Sequence, residues 1–356
     1  MKDRVKHILS KRPRLRKKQP EKSLEQAIQG LPRITNETVA EHREEVLSSA
    51  RKYIYPLQHS PHRVIIISVS LLVILVITFF TYCLLALYRF QSSSSFVYRI
   101  TQVIPFPVAK AGPRFVSYEN YLFELRHYMH YYETQQRVDF NSESGQQQVA
   151  DFRKRALERV IDYAYVKELA EKHNVSVSDA ELEDMITLVR NQNRLGSSDQ
   201  VFSDVLKEFW GWSVNDFRRE LKQQMLTQKV VATLDTQTRS DAQDAYDRIL
   251  NGEDFATVAK QYSEDTSTKE NGGDYGFSIS QTDRDLPPQV IDRLFKLQPG
   301  EVSEIINTGT GLEIIKYREA DGTRIRASHI MFTFKPISDY IDPLRKDNEP
   351  VKLIRP

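Results

Sequence analysis

Residues 64–88 read VIIISVSLLVILVITFFTYCLLALY, 25 positions without a charged side chain. A helix of that length, at about 1.5 Å per residue, spans the roughly 30 Å hydrocarbon core of a bilayer with some tilt. Arg63 and Arg89 bracket the run, and Tyr82 and Tyr88 suit an interfacial aromatic belt at its far end. The run is longer than the apolar stretch of a signal peptide, no small-residue cleavage site follows closely, and 63 residues precede it. An uncleaved, single-pass membrane anchor is therefore expected. The segments before and after it then lie on opposite sides of the bilayer.

Charge decides which side. The net charge is only +2, but Lys2, Arg4, Lys6, Lys11, Arg12, Arg14, Arg16, Lys17, Lys18 and Lys22 crowd the N-terminal end. The positive-inside rule then places residues 1–63 in the cytoplasm and residues 90–356 outside. The basic tail, 1–63, is expected to be disordered and solvated. It can serve topology alone or touch anionic lipid. No aromatics interleave the basic residues, so nucleic acid is not expected as a partner. Cys83, the one cysteine, lies inside the span, which leaves no intramolecular disulfide and no zinc ligand set. No cofactor is expected.

Residues 89–115, with a Ser run and three prolines, read as a non-helical linker. Residues 116–237 read as an all-α domain. Leu157, Val160, Ile161, Ala164, Tyr165 and Leu169 fall on one helical face. Ser178 with Glu181 and Ser213 with Asp216 have capping-box spacing. Phe217, Leu221, Met225 and Leu226 form another apolar stripe. Trp210 and Trp212 read as core or turn packing. The aromatic YMHYYE stretch, 128–133, fits either a core face or a peptide-binding surface. LERVIDYAYVKELAEKHNVSVSDAELEDMI and VLKEFWGWSVNDFRRELKQQMLTQKV resemble the N-terminal chaperone domain of SurA- and PrsA-like extracytoplasmic foldases, over about 100 residues.

From Thr238 the texture changes. Ser240 begins S-D-A-Q, another capping pattern opening a helix. Then come GEDFATVAKQYSED, NGGDYGF, LPPQVIDRLFKLQPGEVSEII and TGTGLEIIKY. This order of helix, Gly-rich loop, helix and strands is similar to the parvulin (PpiC) class of peptidyl-prolyl isomerases. The resemblance implies an α+β fold, a four-stranded antiparallel sheet with helices, over residues 238–336. It also implies a site. The family's Cys or Asp that faces the substrate proline falls on Asp265. Its proline-pocket residues fall on Leu286 and Val290, with an aromatic near Phe277. Its two hairpin hydroxyls fall on Thr308 and Thr310. Its last-strand histidine falls on Glu313, a departure. Two carboxylates beside one imidazole would push one of their pKa values up.

The family's first strand, R-A-S-H-I-L, is missing upstream. IRASHIMF, Ile325 to Phe332, follows the last strand instead, across E-A-D-G-T. Only 27 residues follow His329, too few for a second such domain. A circular permutation fits better, with the first strand at 324–334 joined to the last through a D-G hairpin. His329 then joins the site. The implied function is a membrane-anchored isomerase and chaperone for unfolded or proline-containing exported polypeptides. The alternative is a catalytically weak parvulin fold that only binds unfolded chains. Residues 337–356 read as a C-terminal tail, with DYIDPLRK a candidate short helix.

Overall fold

A computed structural model describes residues 35–54, 61–192 and 198–355. Residues 1–81 and 82–356 form two compact units. The basic residues of positions 2–22 lie outside the described residues. Within the stretch expected to be disordered, α1 (Asn36–Ile54) is helical. No Gly or Pro interrupts it, and Thr35 Oγ1 accepts from the Thr38 N–H at its start (3.3 Å). Helix α2 (Pro61–Leu84) continues into a π-helical turn, Leu85–Arg89. His62–Arg89 is the one helix among the described residues long and apolar enough to cross a membrane.

The expected non-helical linker contains α3 (Ser95–Val103), capped by Ser94. It also contains a hairpin of β1 (Pro107–Ala111) and β2 (Arg114–Ser117). Its three prolines all lie beyond the helix, so they end it rather than prevent it. A helical layer follows: α4 (Tyr118–Thr134), α5 (Glu143–Lys172), α6 (Asp179–Gln192), α7 (Asp199–Trp210) and α8 (Val214–Leu234). The predicted face of α5 is buried along its whole length. Both capping boxes form, with Glu181 N–H donating to Ser178 Oγ (3.2 Å) and the reciprocal pair at Ser213 and Asp216. Trp212 stacks between Phe123 and His127, ring centroids 6.0 and 4.4 Å away. Tyr128 and Tyr132 pack on Phe152, whereas Tyr131 stays exposed.

Helix α9 (Thr236–Leu250) starts four residues before the predicted Ser240 cap. Asp235 caps it instead, accepting from Thr238 N–H (3.2 Å) and also from Lys335 N–H (2.9 Å). The carboxylate thus ties the helix start to the chain beyond the sheet. Then come α10 (Phe255–Tyr262), β3 (Asp274–Ile279), α11 (Pro288–Leu294), β4 (Ile306–Asn307), β5 (Gly311–Asp321) and β6 (Arg324–Thr333). The sheet is four-stranded and antiparallel, in the order β3-β6-β5-β4. The fold is α+β, as expected. Gly322 (φ +62°) and Thr323 form the two-residue turn between β5 and β6, and Gly at the first turn position matches the right-handed twist of the strands.

Alternation along β5 and β6 sorts their side chains onto two faces. Leu312, Ile314, Ile330 and Phe332 pack with α9 and α10. Ile315, Tyr317, Ile325 and Ala327 pack with α11. The C-terminal segment does not dangle. After α12 (Ser338–Asp347), β7 (Val351–Lys352) pairs with β1, making a second sheet, β2-β1-β7, that sequence periodicity did not suggest. Ile341 and Ile354 are each 2% exposed. Arg345 grips Glu158 and Asp162 of α5 (2.5 and 2.6 Å).

Candidate functional site

His329 sits mid-strand in β6, on the face shared with Ile315, its cross-strand partner. Glu313 is the diagonal neighbour on the same face of β5. The imidazole is nearly buried, and its two nitrogens face two carboxylates. Nε2 lies 2.9 Å from Asp265 Oδ2, and Nδ1 lies 3.3 Å from Glu313 Oε2. Asp265 and His329 are 64 residues apart in the chain.

Local hydrogen bonds hold Asp265 in place. Glu264 N–H donates to Met331 O (2.8 Å), and Met331 N–H donates to Ser263 Oγ (3.3 Å), so this segment lies along β6. The carboxylate accepts from the Ser267 N–H and hydroxyl (3.0 and 2.6 Å) and from Thr268 Oγ1 (2.7 Å). Burial pushes its pKa up, but the hydrogen bonds of Ser267, Thr268 and His329 together outweigh burial and hold it at about 2. At Asp265 itself, crowding by a second carboxylate produces no rise, because these donors dominate. The stability this carboxylate contributes is fully present above the ordinary Asp value of about 3.9 and is lost as pH falls toward about 2.

Two members of the cluster escaped the sequence reading. Thr268 Oγ1 lies 2.9 Å from His329 Nε2 while donating to Asp265. Tyr275 stacks on the imidazole, centroids 4.1 Å apart, and its hydroxyl donates to Glu313 Oε2 (3.1 Å). The signal for Tyr275 was its place in G-G-D-Y-G, where the resembled family carries leucine. The β3–β6 register shifts between Asp274 and Ser278, a bulge spanning Tyr275, and such bulges re-aim side chains. Burial beside Glu313 raises the Tyr275 pKa, so the phenol stays a donor. Tyr275→Phe should leave that carboxylate oxygen short of a partner and lower stability by about 1–3 kcal/mol, read as a drop in Tm.

The remaining candidates separate. Phe277 is 45% exposed, 5.9 Å from the Tyr275 ring, and free to meet a ligand. Leu286 is half-buried against the same core. Val290 is 0% exposed and supports the site from behind instead of facing a ligand. Thr308 and Thr310 stay at the β4–β5 turn, 3.5 Å from each other, and neither is hydrogen-bonded to His329, Asp265 or Glu313. That turn abuts Gln228 of α8. Gln228 also lines a cleft of about 910 Å³ with Tyr128, Arg159, Tyr163, Glu220 and Ile337. Glu124, at the same cleft, has its pKa raised by burial to about 7.

Two stretches of the chain match family models. Residues 225–319 match the PPIC-type PPIase (rotamase) domain, and residues 58–231 match the SurA-like N-terminal domain. The chain is 31% identical over 176 residues to foldase protein PrsA of Caldanaerobacter subterraneus subsp. tengcongensis, covering 45% of this chain and 56% of that protein. It is 27% identical over 209 residues to foldase protein PrsA 3 of Bacillus anthracis, covering 52% and 65%. It is 25% identical over 252 residues to chaperone SurA of Pectobacterium atrosepticum, covering 55% and 57%. The chain thus spans about half to two-thirds of the length of these relatives.

Proposed function

We propose that this chain, which carries a PPIC-type PPIase domain behind a SurA-like N-terminal domain, is a membrane-anchored peptidyl-prolyl cis-trans isomerase and chaperone for exported polypeptides. The observation that carries the reading is the hydrogen-bonded His329–Asp265–Thr268 cluster beside the exposed Phe277 ring; Asp265, Thr268 and Phe277 lie within the matched residues 225–319, and His329 reaches them from β6, beyond the match. The names of the relatives, foldase and chaperone, support it. The helix His62–Arg89 would be the anchor, with the basic N-terminus in the cytoplasm near anionic lipid and residues 90–356 outside. The strand order β3-β6-β5-β4 supports a circular permutation in which the family's first strand stands last.

Prolyl isomerisation crosses a barrier of about 18–20 kcal/mol without making or breaking a bond. The catalyst must bind the twisted amide better than the planar one. Phe277, Tyr275 and Leu286 offer an apolar wall for the proline ring. Desolvation there weakens amide resonance. The buried hydrogen bonds around His329 keep the polar floor rigid, so little reorganisation accompanies the twist.

The test uses the full chain in detergent or vesicles and a proline-containing peptide. Acceleration over the uncatalysed rate is expected. Asp265→Asn keeps the acceptor for the local turn but removes the charge facing Nε2. It should lower kcat/KM about tenfold, or about 1.4 kcal/mol. No acceleration by the unaltered chain would leave the second reading, a binding-only chaperone. Three observations favour that alternative: Glu313 at the histidine position, the separation of Thr308 and Thr310 from the cluster, and the 910 Å³ cleft beside their turn. Suppression of aggregation of an unfolded client without isomerisation would establish it.

A further inference from the structure

Helix α3 carries an apolar face that the folded unit leaves uncovered. Phe96, Ile100 and Val103 recur at i, i+4 and i+7 on one side, where Phe96 is 60% and Val103 82% exposed. The other side is occupied, with Val97 and Thr101 buried. The helix is also held firmly. Arg126 donates to Ser93 O (2.8 Å) and Ser95 Oγ (3.2 Å), and Tyr98 Oη donates to Glu119 Oε1 (3.2 Å).

The position of Phe96 says what covers that face. Its ring lies 6.3 Å from the ring of Tyr82. Tyr82 stands 19 residues after Arg63 on one uninterrupted helix, a rise of about 28 Å. That is the far edge of a hydrocarbon core roughly 30 Å thick. An exposed phenylalanine beside it stands at the depth of the boundary between acyl chains and headgroups. Phe90, 69% exposed, leaves the span at the same end. Exposed Arg99 flanks the apolar stripe, with a stem long enough to carry its guanidinium up to the phosphates.

We propose that α3 is an interfacial helix, its Phe96–Ile100–Val103 face lying in the surface of the same bilayer that α2 crosses. The proposal rests on reading α2 as a membrane span. It gives the second unit two attachments to the lipid, a span and a helix in the interface plane. Lipid is the occupant because both the depth of Phe96 and the short connection from the span put this face at the bilayer.

The test places single cysteines in the full-length chain with Cys83→Ser. Val103→Cys and Phe96→Cys report on the proposed face, Val73→Cys on the middle of the span, and Leu250→Cys on an exposed site in α9. Each is labelled with an environment-sensitive fluorophore and reconstituted in phosphatidylcholine–phosphatidylglycerol vesicles. At 103 and 96 the emission should shift to the blue and fall several-fold with a lipid carrying a quencher near the headgroup. At 250 it should stay water-like. Water-like emission at 103 and 96 with blue-shifted emission at 73 would overturn the interfacial helix while leaving the span intact. Water-like emission at 73 as well would remove both.

Discussion

Replacing Gly273 with alanine is expected to detach β3 from β6 and to cost the fold about 3–5 kcal/mol. Two effects add. Gly273 has φ +80°, and a Cβ there would stand 2.1 Å from the His329 carbonyl oxygen. The left-handed backbone alone costs an L-residue about 1–2 kcal/mol. The clash with backbone cannot be relieved by a rotamer change, so the strand must move. It moves against its own hydrogen bond, since His329 N–H donates to Gly273 O (2.8 Å). The Tm of the full chain should fall by roughly 10 °C, and the proposed isomerase activity should be lost with the position of His329. Gly300→Ala is the control. Gly300 has φ +88° but nothing within 4 Å of its would-be Cβ, so only the left-handed cost of about 1–2 kcal/mol applies. Equal losses for the two variants would contradict the close approach.

Deleting residues 337–355 should unfold the helical layer before the β3–β6 sheet. The deletion withdraws two side chains, Ile341 and Ile354, that are each 2% exposed, worth about 1.5–3 kcal/mol apiece. It also removes the Arg345 partner of Glu158 and Asp162 and strips β1 of its β7 neighbour. Tyr165 Oη loses its acceptor, Asn348 O. The chain supplies its own readout. Its two tryptophans, Trp210 and Trp212, both lie in the helical layer, so their fluorescence follows that layer while the isomerase assay follows the site. A large red shift of emission in the truncated chain is the expected result. An unchanged spectrum and Tm would mean the C-terminal segment is dispensable.

The parts legible in the sequence share a short range. The span needs only an unbroken apolar run. The buried face of α5 needs only a 3.6-residue repeat, and the boxes at Ser178 and Ser213 involve residues three apart. Helix α9 starts before its expected Ser240 cap. Ser240 offered a local cap, but Asp235 also accepts from Lys335 N–H, a hundred residues away. That tertiary bond selected the earlier start.

The site divides along the same line. His329, Asp265 and Glu313 were named from a resemblance, and they stand within hydrogen-bond reach of each other through His329. Tyr275 was missed because its orientation depends on a bulge in β3, and a bulge has no signature in side-chain alternation. The resemblance also places Thr308 and Thr310 at the site, but their turn packs on Gln228.

By itself the sequence determined one apolar span, the periodic faces of the helices and the strand character of IRASHIMF, because each follows from side chains within a turn or two of one another. Only the tertiary structure decided that this strand lies between β3 and β5, that Tyr275 covers His329, and that the last residues of the chain complete the sheet begun by Pro107. Those outcomes rest on backbone hydrogen bonds and packing between segments tens to hundreds of residues apart. The free energy of such pairing depends on what the rest of the chain presents at that place, which no local pattern encodes.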